Sequence, residues 1–171
     1  MKYIILLQIL FNLSVAALID VKSFKADFKQ VVTDDKGKQL LYDGHIQATN
    51  PKYALWQYMT PIEKSIYITP NKITIIEPEI EQVLIRNLSS DFDFFRMIKY
   101  AKKISENSYV TFLNDSKYTI RIKDDLIDSI SYIDEFGNTV EITFKNQFQN
   151  IEISKEIFTP LIPKNYDIID E

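Results

Sequence analysis

The chain reads as a mainly β domain of roughly eleven short strands, a barrel or large curved sheet, interrupted by a single helix. Three observations lead there. Turn signals recur at intervals of about 8–12 residues, the rhythm of an all-β fold. The segments between them are rich in Ile, Val, Phe and Tyr and alternate with polar residues, or are apolar on both faces. Only three glycines and no cysteine occur in 171 residues. That composition leaves no glycine-rich phosphate loop, no disulfide and no thiolate chemistry.

The first residues stand apart from this pattern. Met1-Lys2 is a short basic start, Tyr3 to Leu13 is nearly all apolar, and Ser14-Val15-Ala16-Ala17 supplies small residues. An apolar run of roughly ten residues is too short to span a bilayer and matches a signal peptide. Residues 1–17 are therefore expected to be a cleaved leader, and 18–171 a single domain destined for the periplasm. No Cys follows the cleavage region, so the product is not expected to be a lipoprotein itself. The formal net charge is −4, and removing Lys2 with the leader makes it −5. An acidic chain is a poor partner for nucleic acid, whose affinity rests on phosphate neutralisation.

Taking the elements in order, Phe24, Ala26 and Phe28 alternate with polar residues, and Asp34-Asp35-Lys36-Gly37-Lys38 reads as a hairpin turn. The returning strand covers 39–49, with Gly44 marking a bend or bulge, and Asn50-Pro51 ends it because proline cannot donate to a ladder. Three or four short strands follow, up to about Arg86. Ser89-Ser90 then caps a helix. Asp91 and Asp93 favour its N-terminal end, and Arg96, Lys99, Lys102 and Lys103 its C-terminal end. Within it Phe92, Phe94, Phe95, Met97, Ile98 and Ala101 form more than one stripe, wider than a surface helix usually buries. Further strands are expected at 109–113, 117–123, 126–134, 138–145 and 148–153. The proline-stiffened tail reads as an edge strand or as a strap across the sheet.

Catalytic constellations are scarce. A Ser-His-Asp arrangement needs a histidine base, and His45, in a strand beside Gly44, is the sole candidate. A lone strand histidine is more often a packed or surface residue. His, Cys and carboxylates do not cluster at metal-ligand spacing, and Asp124-Asp125 reads as a turn rather than a glycosidase pair. The surplus in this sequence is hydrophobic. Ala54, Trp56 and Tyr58 share one strand face, Ile66 and Ile68 a second, Ile73 and Ile75 a third. Either these faces form an ordinary core, or some of them line a concavity for acyl chains under the helix carrying Phe92, Phe95 and Ile98. Alternation alone leaves both readings open, and does not say which faces turn inward.

The order and spacing of several motifs resemble a known family, the periplasmic carriers of outer-membrane lipoproteins of the LolA-like kind. The segment Ser23 to Gln30 with Thr33-Asp34 and Gly37 is similar to that family's opening strand and hairpin. Pro51, Trp56, Tyr58 and Pro61 resemble its Trp strand, Pro78 with Glu81-Gln82 its Pro-x-x-Glu-Gln signature, and residues 134–138 its late hairpin. Phe158-Thr159-Pro160 and the Asp-Ile-Ile ending resemble its C-terminus. The resemblance implies an open, incomplete antiparallel β-barrel of about eleven strands, an apolar cavity, and a lid of short helices. It implies a non-catalytic chaperone without cofactor, acting as a monomer. Its cargo would be triacylated lipoproteins released by an inner-membrane ABC-type complex and passed to an outer-membrane acceptor. A lipoprotein-sensing regulatory module of similar fold is the alternative. Two departures stand out. The family usually carries an Arg before the proline of the Trp strand, which helps latch the lid; that place is Asn50 here, and an uncharged amide cannot make the same charge-assisted bond. The Phe often found two residues before the Trp is Ala54, which reshapes the cavity.

Overall fold

The computed structural model describes residues 20–88, 94–113 and 115–170. The leader expected at 1–17 and the cap at Ser89-Ser90 lie outside these residues, as do Asp91, Phe92 and Asp93. Among the described residues twelve strands form one sheet. They are β1 (Ser23–Thr33), β2 (Gln39–Thr49), β3 (Tyr53–Thr60), β4 (Lys64–Ile68), β5 (Lys72–Glu77), β6 (Gln82–Asn87), β7 (Lys102–Ser105), β8 (Ser108–Leu113), β9 (Ser116–Lys123), β10 (Leu126–Ile133), β11 (Thr139–Gln149) and β12 (Asp167–Asp170), with helix α1 (Phe94–Lys99) between β6 and β7. Across the sheet the order is β12-β6-β5-β4-β3-β2-β1-β11-β10-β9-β8-β7. Two meanders of sequential hairpins thus meet at one non-local seam, where β1 pairs with β11 from Phe24↔Gln149 to Thr33↔Thr139. The first and last strands of the order do not pair, so the sheet is open.

Local chemistry explains most elements. The β1–β2 and β10–β11 turns are built alike. Asp34 Oδ1 accepts the N–H groups of Lys36 (2.9 Å) and Lys38 (2.8 Å), and Asp134 Oδ1 those of Phe136 (3.0 Å) and Asn138 (2.8 Å). Each turn has a glycine at positive φ, Gly37 at 79° and Gly137 at 84°, a conformation costly for residues with a Cβ. Gly44 serves a different need. The β2–β3 register shifts between Asp43 and Gly44, and a Cβ there would strike the Gln57 carbonyl and approach Phe28 Cζ to 2.8 Å. The expected bulge is present, and the missing side chain is also what admits the Phe28 ring.

Four expectations need correcting. The strand count is twelve, because β7 escapes detection: its four residues are all exposed and show no alternation. The helix ends at Lys99. Tyr100 N donates to the Arg96 carbonyl (3.0 Å), the Ala101 N–H tightens onto Ile98 O (3.2 Å), and Lys102 and Lys103 enter β7. Lysines on a sheet-edge strand blunt it against further pairing. Residues 138–145 and 148–153 are not two strands. They merge into β11, which a bulge at Asn146 (φ 49°) carries onward until Asn150 (φ 56°) ends it. The Lys25/Asp27 register break on β1 accommodates that bulge. Finally, the antiparallel pattern has an exception, since β12 pairs parallel with β6.

Both faces are covered. On the outer face the tail folds back over β3–β6. Phe158 is 1% exposed and its ring centroid lies 5.6 Å from that of Tyr53, while Leu55, Ile76 and Val83 are buried. The tail is therefore both strap and edge strand, with Asp167 N donating to Glu81 O at 2.8 Å. The inner face carries the main core, including Phe24, Phe28, Ile46, Trp56, Ile130 and Phe144, with α1 set against it. Four of the six α1 residues are buried, which accounts for its broad apolar stripe.

Outside, one polar cluster fastens three strands. Asp27 on β1 accepts from Asn146 Nδ2 on β11 (2.7 Å), and its other oxygen lies 2.6 Å from His45 Nδ1 on β2. These bonds, first Asn146 and then His45, hold the Asp27 carboxyl below the ordinary value of 3.8. A depressed carboxylate adds stability above its unfolded pKa, and that stability disappears as pH falls through the folded value. Asp27→Asn should therefore lower the unfolding midpoint near neutral pH, with the gap to wild type closing below pH 3.8. The side chain is 44% exposed, so the loss should stay under about 1 kcal/mol. Gly44→Ala should cost more, about 1–3 kcal/mol by denaturant unfolding, because the added methyl meets backbone that cannot swing away.

Candidate functional site

Between the inner face and α1 the packing leaves a cavity of about 180 Å³. Strands β3 and β4 supply one wall through Trp56, Tyr58, Ile66 and Ile68, and α1 supplies the cover through Phe94 and Met97. The opposite wall comes from Tyr118, Ile130, Tyr132 and Ile142, with Gln30 between the two. Registry explains the convergence. Trp56 lies opposite Ile66 across β3–β4, and Ile130 lies opposite Ile142 across β10–β11, so each pair points to one face.

The lining is graded. Toward the Phe24–Phe94 side it is purely hydrocarbon, with ring centroids 5.6 Å apart. Toward the β1–β2 turn it becomes hydroxylated. Tyr58 donates its hydroxyl to Gln30 Oε1 at 3.0 Å, and the Tyr118 and Tyr132 rings lie 4.8 Å apart. Burial raises the pKa of Tyr58, and burial with smaller contributions from Tyr118 and Asp134 pushes Tyr132 to about 12. Both phenols are therefore neutral hydrogen-bonding groups near pH 7. A space so lined suits a flexible apolar ligand with a neutral polar end.

The residues expected at the site divide as follows. Trp56, Tyr58, Ile66 and Ile68 line the cavity. Ala54 is buried on the same face, opposite Ile68, and Ile73 packs against the core beside it. Ile75 shares that face by registry, opposite Ile66, but is half-buried and outside the lining. Phe95 and Ile98 are buried in the core under α1 rather than at the cavity, where Phe94 and Met97 take the corresponding places. Phe92 lies outside the described residues. Asn50 is exposed at the end of β2, its backbone N–H donating to the Lys22 carbonyl at 2.9 Å. The far wall was missed. The alternation of Tyr118, Ile120 and Ile122 signals a strand face there, but only the strand order shows that it opposes Trp56.

A larger cleft of about 350 Å³ lies on the outer face around His45, Asp27 and Asn146. Its size does not make it the site: Lys29, Asp43 and Lys145 leave it polar, and no residue lining it carries a hydroxyl or thiol. A base and carboxylate without a nucleophile cannot run acyl transfer. Among the described residues there is no group of three or more His, Asp and Glu side chains that could hold a metal, and no helix long and apolar enough to cross a membrane.

Comparison with known proteins agrees with this geometry. Residues 20–94 match the family model described as outer membrane lipoprotein carrier protein LolA. The outer-membrane lipoprotein carrier protein of Campylobacter jejuni is 36% identical over 151 residues, covering 88% of each chain. That of Wolinella succinogenes is 34% identical over 159 residues, covering 92% of each. That of Helicobacter pylori strain J99 is 36% identical over 154 residues, covering 89% of this chain and 82% of the relative. Among solved structures, an uncharacterized conserved protein from Thermus thermophilus superposes with a TM-score of 0.55 at 12% identity, over 88% of this chain and 91% of that one, a likeness of fold alone. With an open sheet, a covered apolar cavity and these relatives, the chain belongs to the family of outer-membrane lipoprotein carrier proteins.

Proposed function

We propose that this chain is a periplasmic lipoprotein carrier that takes the acyl chains of lipoproteins on the inner face of its sheet and works without catalysis or cofactor. The observation that carries the reading is the cavity between Trp56 and Ile130 closed by Phe94 and Met97. Residues 1–17 act as the leader and 18–171 as the carrier domain, a monomer, since one chain builds every wall of the cavity. The cargo is triacylated, received from an inner-membrane ABC-type releasing complex and surrendered to an outer-membrane acceptor.

Magnitudes decide how loading works. A cavity of about 180 Å³ is smaller than the roughly 300–1,000 Å³ of ordinary ligand pockets, so several acyl chains do not fit as it stands. Cargo must take the space now filled by α1. Exposing Phe94, Phe95, Met97 and Ile98 costs about 6–12 kcal/mol at about 1.5–3 kcal/mol per side chain. Each methylene withdrawn from water returns about 0.8 kcal/mol, so about 8–15 methylenes offset the opening. One long acyl chain nearly balances the lid, and the further chains supply the net affinity. Occupancy is thus a near-balanced exchange, which suits a carrier that must also let go.

Two measurements test this. Trp56 is the sole tryptophan and lines the cavity, so titrating residues 18–171 with a triacylated lipopeptide should shift its emission saturably. An unchanged spectrum, with no complex recovered by gel filtration, would refute the carrier reading. The chain also lacks cysteine, so Met97→Cys with Ile130→Cys can be joined by a short thiol crosslinker. Tying α1 to the far wall should abolish loading while the uncrosslinked variant still loads; equal loading of the two would show that α1 does not move.

A further inference from the structure

The two ends of the sheet differ in a way that carrying cargo does not require. In a meander, successive turns alternate between ends. The β2–β3, β4–β5, β7–β8 and β9–β10 turns share one end and are made of Asn50-Pro51-Lys52, Thr69-Pro70-Asn71, Glu106-Asn107 and Asp124-Asp125, with no large apolar side chain. The opposite end holds the β1–β2, β3–β4, β5–β6 and β10–β11 turns. There Ile62, Ile80 and Phe136 stand at turn positions, 50%, 62% and 82% exposed, and Leu40 and Leu41 flank the first turn at 48% and 61%. Thr33 opposes both Gln39 and Thr139, which sets the β1–β2 and β10–β11 turns side by side.

Single exposed apolar residues need no explanation, but a set confined to one end does. Phe136 is also held outward by its turn. The Asp134 carboxylate and Gly137 fix that turn, and the twin turn beside it places Lys36 at the same position. Behind these tips comes a belt of Tyr42, Tyr58 and Tyr132, apolar rings with polar ends, as at membrane interfaces. The hydroxylated side of the cavity opens toward the same end, since Gln30 precedes Thr33 on β1 and Tyr132 precedes Ile133 on β10. Charge narrows the choice of surface. Asp34 and Asp35 balance Lys36 and Lys38, while Glu79, Glu81, Asp134 and Glu135 leave this end acidic. An anionic surface is repelled, and ammonium headgroups of a zwitterionic lipid are complementary.

We propose that this apolar end docks reversibly on an amine-headed, zwitterionic lipid surface, so that acyl chains pass between cavity and bilayer without leaving an apolar path. The proposal deepens the carrier reading and rests on it for the direction of transfer, but docking itself can be measured apart. The test is flotation of residues 18–171 with vesicles of phosphatidylethanolamine and phosphatidylcholine, with and without phosphatidylglycerol. The wild type should float with the zwitterionic vesicles and less with the anionic ones. Leu41→Glu with Phe136→Glu should reduce flotation at least tenfold. Ile104→Glu and Leu161→Glu, exposed at 62% and 87% away from these turns, should leave it unchanged. Absence of wild-type flotation, equal losses in all variants, or stronger binding to anionic vesicles would overturn the proposal. Lipopeptide titration followed by Trp56 emission runs in parallel, and the Leu41/Phe136 variant should retain it. If that titration fails in the wild type, the carrier reading fails whatever the vesicles show. Should the double variant not fold, Phe136→Ser replaces it, with the same outcomes applying.

Discussion

The structure depends on one steric arrangement, the Phe28 ring lying where Gly44 has no side chain. Phe28 sits on β1, in the middle of the sheet, and Gly44 faces it across the β1–β2 pair. From that position the ring reaches Trp56 and Tyr58, each with centroids 5.1 Å away. Trp56 continues to Phe144 at 6.5 Å, Phe144 to Phe24 at 5.1 Å, Phe24 to Phe94 at 5.6 Å and Phe94 to Phe95 at 5.4 Å. One line of aromatic contacts thus runs from the first meander across the seam into the second and onto α1. The bulges at Asp43/Gly44 and at Asn146 bend the strands that carry it. Bulges increase local twist and curvature, and without that curvature the walls would not face each other across a cavity.

The cover follows from the same packing. A helix of six residues has almost no stability of its own, because nucleation is not repaid over so few hydrogen bonds. Helix α1 persists through its contacts: four of its side chains are buried and only Arg96 and Lys99 face water. An element held by side-chain burial rather than by a ladder can leave as a unit once another apolar body takes its place. The strands around it are bonded on both sides and cannot do so. Mobility and affinity are therefore set by one quantity, the apolar area exchanged between α1 and the ligand.

Much of this was legible in the residues, and the failures have physical causes. The Asp-x-x-Gly turns at Asp34 and Asp134 were readable because side-chain acceptor and left-handed glycine sit at fixed spacing. The Trp56 face was readable because period-two alternation survives any twist. The Asn146 bulge was not, since an asparagine in the left-handed region looks in sequence like the polar break between two strands. The helix was overextended because Lys102 and Lys103 suit a helix C-terminus as well as they suit an edge strand. The far wall was invisible for a deeper reason. Nothing local to Tyr118 or Ile142 states that β1 will pair with β11, and that one non-local choice brings these side chains opposite Trp56.

A sheet apolar on both faces must solve two covering problems, and this chain solves them differently. The outer face is closed by the tail, with Phe158 almost wholly inaccessible and β12 hydrogen-bonded along β6. That closure combines side-chain burial with a backbone ladder, and exposing it would cost both. The inner face is closed by α1, whose cover leaves an unfilled volume ringed by Trp56, Ile130 and paired tyrosines. Tight interiors are the rule, because every void forfeits contacts its lining atoms would otherwise make. Stability alone would select a larger residue than Ile at one of these positions. The gap persists on the face whose cover is lightest, as expected if that face exchanges one apolar partner for another.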